Sequence, residues 1–162
     1  MCNSIVNVND QQLSFRAASV ADVAALTALE ASYYPTDGYP APLFFQAHHQ
    51  WSELLQLACC GEQVVGYCMG APGLQPQSLW LMSMLISAEH RGQGIGAKLL
   101  RHWLAKVDQL GYQTTQLSVA PDNTNAIRLY QQLGFRSGAQ KHDYLGPGEH
   151  RLLMQRQALT SD

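Results

Sequence analysis

The stretch from Leu79 to Leu110 constrains the fold more than any other part of the chain. It opens on an apolar run, Leu79 to Ile86, broken only by Ser83 and of strand rather than membrane-span length. A turn holding Gly92, Gly94 and Gly96 follows. Beyond the turn, Ile95, Leu99, Leu100, Trp103, Leu104, Val107 and Leu110 share one helical face. Lys98, Arg101, His102, Lys106 and Gln109 share the other, and Gly111 stops the helix. A buried strand that feeds a glycine-rich turn into a long amphipathic helix is the kernel of an α/β fold. It also makes an anion site. Without Cβ atoms the backbone can approach a phosphate closely, and the unpaired N–H groups of the first helical turn point at it. Arg91 adds positive charge at the same mouth. The plainer alternative is a strand-to-helix turn that needs its glycines for geometry alone.

The remaining pattern agrees with that kernel. Leu13 to Ala18 reads as a strand, and Ser19 with Asp22 as the N-terminal signature of a helix through Val23, Leu26, Leu29 and Glu30. Tyr33 to Pro40 is an aromatic, proline-rich loop, and Pro42 to Trp51 a second short helix. Leu54 to Cys60 and Gln63 to Gly70 flank Gly61-Glu62 as a hairpin. Gln113 to Val119 and His150 to Gln157 read as strands, and Thr124 to Leu133 as a helix stopped by Gly134. The expectation is one domain over 13–158 behind an N-terminal tail, 1–12. Its architecture would be α/β (α+β), with a mixed, mostly antiparallel sheet of about six or seven strands and about four flanking helices.

Composition narrows the function classes. Lys plus Arg number 10 against 12 Asp plus Glu, a net charge of -2, which disfavours a nucleic-acid or anionic-membrane surface. The start, Met1-Cys2-Asn3-Ser4, has no basic region followed by an apolar stretch, so a cytoplasmic location is expected. Cys2, Cys59, Cys60 and Cys68 show no C-x-x-C spacing and read as buried free thiols in a reducing compartment. The six histidines lack ligand spacing, so no metal is expected.

The glycine turn is a poor match to two familiar phosphate sites. A P-loop needs a Ser or Thr after its Lys, but Lys98 is followed by Leu99. A dinucleotide fingerprint needs G-x-G-x-x-G, whereas this chain has Gly92-x-Gly94-x-Gly96. What fits is R-x-x-G-x-G, written here as Arg91-Gly92-Gln93-Gly94-Ile95-Gly96. That run resembles the acetyl-CoA motif of the Gcn5-related N-acetyltransferases (GNAT). The second signature of that family resembles Asn123, Ala126, Leu129-Tyr130 and Gly134-Phe135.

The resemblance implies a site. The CoA pyrophosphate would lie on the N–H groups of Gly92, Gln93, Gly94, Ile95 and Gly96 beside Arg91. Its pantetheine arm would pair with the backbone of Met84, Leu85 and Ile86, and Asn123 would contact that arm. Tyr130 would protonate the departing thiolate; its alternative is a core aromatic on the buried face of its helix. A backbone N–H near Leu85 would stabilise the oxyanion. Two departures leave the general base open: Ser118 stands where several members carry Glu, and Trp80 and Met82 where the arylalkylamine acetyltransferases carry histidines. Glu30, Asp37 and His142 are the remaining candidates, along with an ordered water chain.

The loop after the first helix would line the acceptor site with Tyr33, Tyr34 and Asp37, favouring an apolar or aromatic amine. Glu30, Tyr34-Pro35 and Asp37 also resemble the arylalkylamine subgroup more weakly. The alternative is that these aromatics only pack the loop. Two functions follow from the resemblance. One is acetyl transfer from acetyl-CoA to a primary amine of a small molecule in a ternary complex. The other is a CoA-binding sensor without chemistry. Neither implies nucleic acid, membrane or metal, and an N-terminal tail docked on a partner subunit would be consistent with a homodimer.

Overall fold

The computed structural model describes residues 6–8 and 11–159. In chain order they form β1 (Val6–Val8), β2 (Gln11–Ala17), α1 (Val23–Tyr33), α2 (Ala41–Trp51), β3 (Leu55–Cys60) and β4 (Gln63–Pro72). There follow β5 (Ser78–Ile86), α3 (Ile95–Gln109), β6 (Thr114–Val119), α4 (Thr124–Gln132), β7 (Arg136–Lys141) and β8 (Arg151–Gln157). The strands hydrogen-bond in the order β1-β2-β3-β4-β5-β6-β8-β7, with β5 and β6 parallel. The fold is therefore α/β with a mixed, mostly antiparallel sheet and four α-helices, as the sequence predicts. Two compact units divide the chain, one running to Ala71 and resuming over Ser83–Lys106, the other comprising Pro72–Met82 and everything from Val107.

In the first unit, β1, β2, β3 and β4 pair antiparallel in succession, with a bulge at Ala58/Cys59. The β3–β4 turn falls on Gly61, whose φ of +57 suits the residue without a Cβ. Val23 and Leu26 of α1 and Phe44 and Ala47 of α2 meet Leu55, Leu57, Tyr67, Met69 and Leu85 in one buried cluster. α1 begins where the 3₁₀ turn Val20–Asp22 ends, and the Asp22 carboxylate accepts the Ser19 N–H at 2.7 Å. Arg16 grips the same carboxylate through two bonds, of 2.7 and 2.8 Å. That pair holds Asp22 at about 2, below the ordinary Asp value. Trp103 of α3 is fully buried, and its indole N–H donates to Leu54 O at 2.9 Å. Cys59, Cys60 and Cys68 are buried free thiols, each pushed up by burial; Cys2 lies outside the described residues.

The second unit is built on β6 and β8, which pair antiparallel from Thr114↔Gln157 to Val119↔Leu152, with β7 alongside β8. The start of β5 pairs in parallel with β6, from Ser78↔Thr114 to Leu81↔Leu117. Arg156 is 5% exposed, and its guanidinium makes two 2.9 Å bonds to the Asp108 carboxylate. The 1–12 tail expectation needs amending. Val6–Val8 is a strand paired with β2, which itself begins at Gln11, while 1–5 and 9–10 lie outside the described residues. β7 was also not predicted; its Arg-Ser-Gly-Ala-Gln-Lys sequence is exposed throughout and carries no apolar alternation. Among the described residues no helix is long and apolar enough to cross a membrane, and no three metal-ligating side chains converge.

Candidate active site

The glycine-rich turn is built where β5 hands over to α3. At the end of β5 the Ser87 N–H donates to Val65 O at 2.8 Å, and Ser87 O accepts the His90 N–H at 3.0 Å, closing a 3₁₀ turn over Ala88–His90. Gly92 and Gly94 then take φ of +74 and +77, and a Cβ on either would meet nothing within 4 Å. These two glycines answer a backbone requirement and leave the space above them open. The first bond of α3 runs from the Lys98 N–H to Gly94 O at 3.2 Å, so the N–H groups of Ile95, Gly96 and Ala97 have no acceptor within the helix. Gln93 folds back, its Nε2 donating to Glu89 O at 3.4 Å.

Arg91 is held at the mouth of this turn. Its Nε donates to Ile86 O at 3.1 Å, and its Cζ lies 4.6 Å from the centroid of the Tyr33 ring. The residue therefore ties the glycine turn to the end of α1. Of the strand residues predicted to carry the CoA arm, Leu85 is buried in the core, while Met84 and Ile86 are half-buried. At the end of α1, Tyr33 and the following Tyr34 are both exposed and meet edge to face at 4.6 Å. Asp37 is exposed too, and its Oδ2 accepts the Thr36 hydroxyl at 3.2 Å. The structure thus brings Arg91, the glycine turn and Tyr33 together.

Beneath that loop lies a group whose partners the sequence does not reveal. Glu30 is 1% exposed, although it carries a carboxylate. Its Oε1 accepts the Tyr67 hydroxyl from β4, its Oε2 accepts the Tyr39 N–H at 3.2 Å, and Tyr67 in turn lies 2.9 Å from Ser83 Oγ on β5. Gly38 packs directly above: a Cβ there would fall 2.9 Å from Tyr34 O and 3.3 Å from Glu30 Oε2. Burial, followed by the bond to Glu30, drives the Tyr67 phenol well above its ordinary value, so it stays protonated. Burial, with the nearby Glu30 charge, raises Tyr39 as well. Among the described residues, none of the ion pairs includes Glu30.

The other predicted residues belong to the second unit. Asn123 caps α4, its Oδ1 accepting the Ala126 N–H at 3.2 Å, a structural task beside the predicted contact with CoA. Tyr130 is half-buried on α4, its ring edge to face with Phe135 at 5.7 Å. His142 is exposed and meets His150 edge to face at 4.7 Å, and Ser118 sits on β6.

The chain resembles known proteins in the same region. The model of the acetyltransferase (GNAT) family matches residues 23–135, more than half of the chain. N-acetyltransferase 8B of Rattus norvegicus is 36% identical over 84 residues, 49% of this chain and 38% of that protein. The [ribosomal protein bS18]-alanine N-acetyltransferase of Escherichia coli K12 is 31% identical over 64 residues, 40% of this chain and 43% of the relative. The chain therefore matches less than half the length of each of these relatives. Among solved structures, Ard1 from Thermoplasma volcanium superposes with a TM-score of 0.82 at 23% identity, covering 91% of this chain and 99% of that one. The diaminobutyrate acetyltransferase EctA from Paenibacillus lautus, solved with L-2,4-diaminobutyric acid and coenzyme A, gives 0.81 at 15% identity over 94% and 98%. With the family match spanning α1 to Phe135 and taking in the glycine turn, the chain belongs to the acetyltransferase (GNAT) family.

Proposed function

We propose that the protein is an N-acetyltransferase that moves the acetyl group of acetyl-CoA onto a primary amine of a small molecule. The observation that carries this reading is the turn at Gly92 and Gly94, left-handed, uncovered and set ahead of the α3 N-terminus. A diphosphate fits such a turn: its oxygens need N–H donors and a positive helix end, and Arg91 adds a full charge at the rim. The backbone of Met84 to Ile86 would hold the pantetheine arm as an added strand, leading from the turn along β5. Acetyl-CoA supplies the activated acyl group, and the chain's own task is to orient the thioester, free the amine lone pair and return a proton to the thiolate. Tyr130 is our proton donor for that last step: a phenol of pKa about 10 can protonate a thiolate of about 8.5 when the site assists.

Exposed Tyr33 and Tyr34 support an aromatic or apolar amine as acceptor, since both rings are presented to solvent rather than used in the core. The competing acceptor is a peptide amine, since the name of the E. coli relative gives an alanine of ribosomal protein bS18 as its substrate. Titration with acetyl-CoA by calorimetry, followed by mass spectrometry after adding phenylethylamine or an alanine-initiated peptide, tests the reading. Binding followed by acetylated phenylethylamine supports it. Product from the peptide alone moves the acceptor to protein N-termini, and binding with no product favours a CoA sensor.

A further inference from the structure

Resting on the acetyltransferase reading, the geometry points to a proton relay, Ser83 to Tyr67 to Glu30, that takes up the proton the acceptor amine must lose. Its direction follows from counting hydrogens. A carboxylate at Glu30 can only accept, so the single Tyr67 hydroxyl proton goes to Oε1. The 2.9 Å contact between Tyr67 and Ser83 then requires the Ser83 hydroxyl to donate. Ser83 Oγ is left with lone pairs as its outward function. It sits half-buried on β5, next to Met84, where the thioester arm is proposed to lie. An ammonium at Ser83 would pass one proton to Oγ while the serine proton moves to Tyr67 and the tyrosine proton to Glu30. The products are a neutral amine and a neutral carboxyl group. Charge and protons balance, and no other reactant is consumed.

One observation favours a role in chemistry. Glu30 is buried with two hydrogen-bond donors and no basic partner among the described residues, which holds a carboxylate in the core at a cost in stability. The titratable groups facing it are Tyr67 from β4 and Tyr39 from the α1–α2 loop; the Phe44 ring packs edge to face against Tyr67 at 5.4 Å. Tyr67 gives up its own proton as it takes one from Ser83, so a proton entering at Ser83 ends on the Glu30 carboxylate.

The experiment measures kcat/KM of the full chain against pH for wild type, Glu30→Gln, Tyr67→Phe and Ser83→Ala. The acceptors are phenylethylamine, spermidine and an alanine-initiated peptide, and acetyl-CoA affinity is measured in parallel. Loss of the base should lower kcat/KM about a hundredfold at pH 7. A variant without the relay must wait for amine already deprotonated by solvent. Its deficit should therefore shrink as pH rises, by at most about tenfold per unit, and be closed by the acceptor's own pKa. Acetyl-CoA affinity should stay within twofold. A deficit that stays constant with pH overturns the relay and leaves acetyl transfer standing. Wild type that acetylates none of the three acceptors overturns acetyl transfer and the relay together. Should Glu30→Gln fail to fold, Ser83→Ala at the half-buried end gives the same test.

Discussion

Replacing Gly94 by Asn and by Asp separates the electrostatics of the glycine turn from its geometry. Gly94 has φ of +77, and a Cβ there meets nothing within 4 Å, so neither side chain collides with the fold. Asn and Asp tolerate the left-handed region about equally, at about 1 kcal/mol relative to glycine. The two variants should therefore melt within a degree or two of each other. They differ in charge where the CoA diphosphate is proposed to bind. A carboxylate about 5 Å from one phosphate charge, in an effective dielectric of about 20, repels it by about 3 kcal/mol. That corresponds to a loss of about a hundredfold in affinity for Gly94→Asp beyond whatever Gly94→Asn loses. Calorimetric titration with CoA reads the difference, and raising the salt concentration should narrow it. Equal affinities for the two variants would show that the diphosphate does not sit over Gly94.

Three further expectations follow. Asp22 is held at about 2 against an ordinary 3.8, so its pairing with Arg16 is at full strength above pH 3.8 and is lost as pH falls toward 2. At most about 2 kcal/mol is involved, reduced by the 45% exposure of Arg16; urea melts of wild type and Asp22→Asn should converge at acid pH. Asp108→Asn leaves the buried Arg156 guanidinium short of a counter-charge and should cost about 3 kcal/mol in a urea melt, more than Arg156→Met, which removes the charge with its partner. Tyr130→Phe keeps the ring contact with Phe135 and should leave CoA affinity nearly unchanged while lowering kcat at least about tenfold. Equal, small effects on kcat and affinity would remove Tyr130 from the proton chemistry.

Where apolar spacing was strong, the sequence was readable. Six of the seven apolar positions read onto one face fall within α3 and are buried, namely Ile95, Leu99, Leu100, Trp103, Leu104 and Val107; Leu110 lies past the end of the helix and is exposed. The β3–β4 hairpin announced itself through Gly61 between two apolar runs, and the glycine turn through residues that only a left-handed backbone requires. β7 was unreadable for the opposite reason. As the last strand in the hydrogen-bonding order it is held by its pairing with β8, and none of its side chains is buried. The relay was hidden in a different way. Tyr67 lies inside the apolar run of β4 and reads as core, which it is, since its ring is fully buried. Only the tertiary fold brings its hydroxyl to Glu30, 37 positions earlier, and to Ser83, 16 positions later. Ser83 looked like an interruption of an apolar strand, and Glu30 like one of three unranked carboxylate and imidazole candidates. Burial distinguishes them, for Asp37 and His142 are exposed and Glu30 is not.

Acetyl transfer from CoA to an amine is followed best with a label. The protein would be incubated with acetyl-CoA deuterated on the acetyl methyl and a mixture of arylalkylamines, polyamines, amino acids and short peptides, and the products would be weighed by mass spectrometry. The expected product is a deuterated acetyl group on a primary amine, appearing only with the protein present and much more slowly with Tyr130→Phe. Intact acetyl-CoA bound to the protein, with no labelled amine in any class, would contradict it.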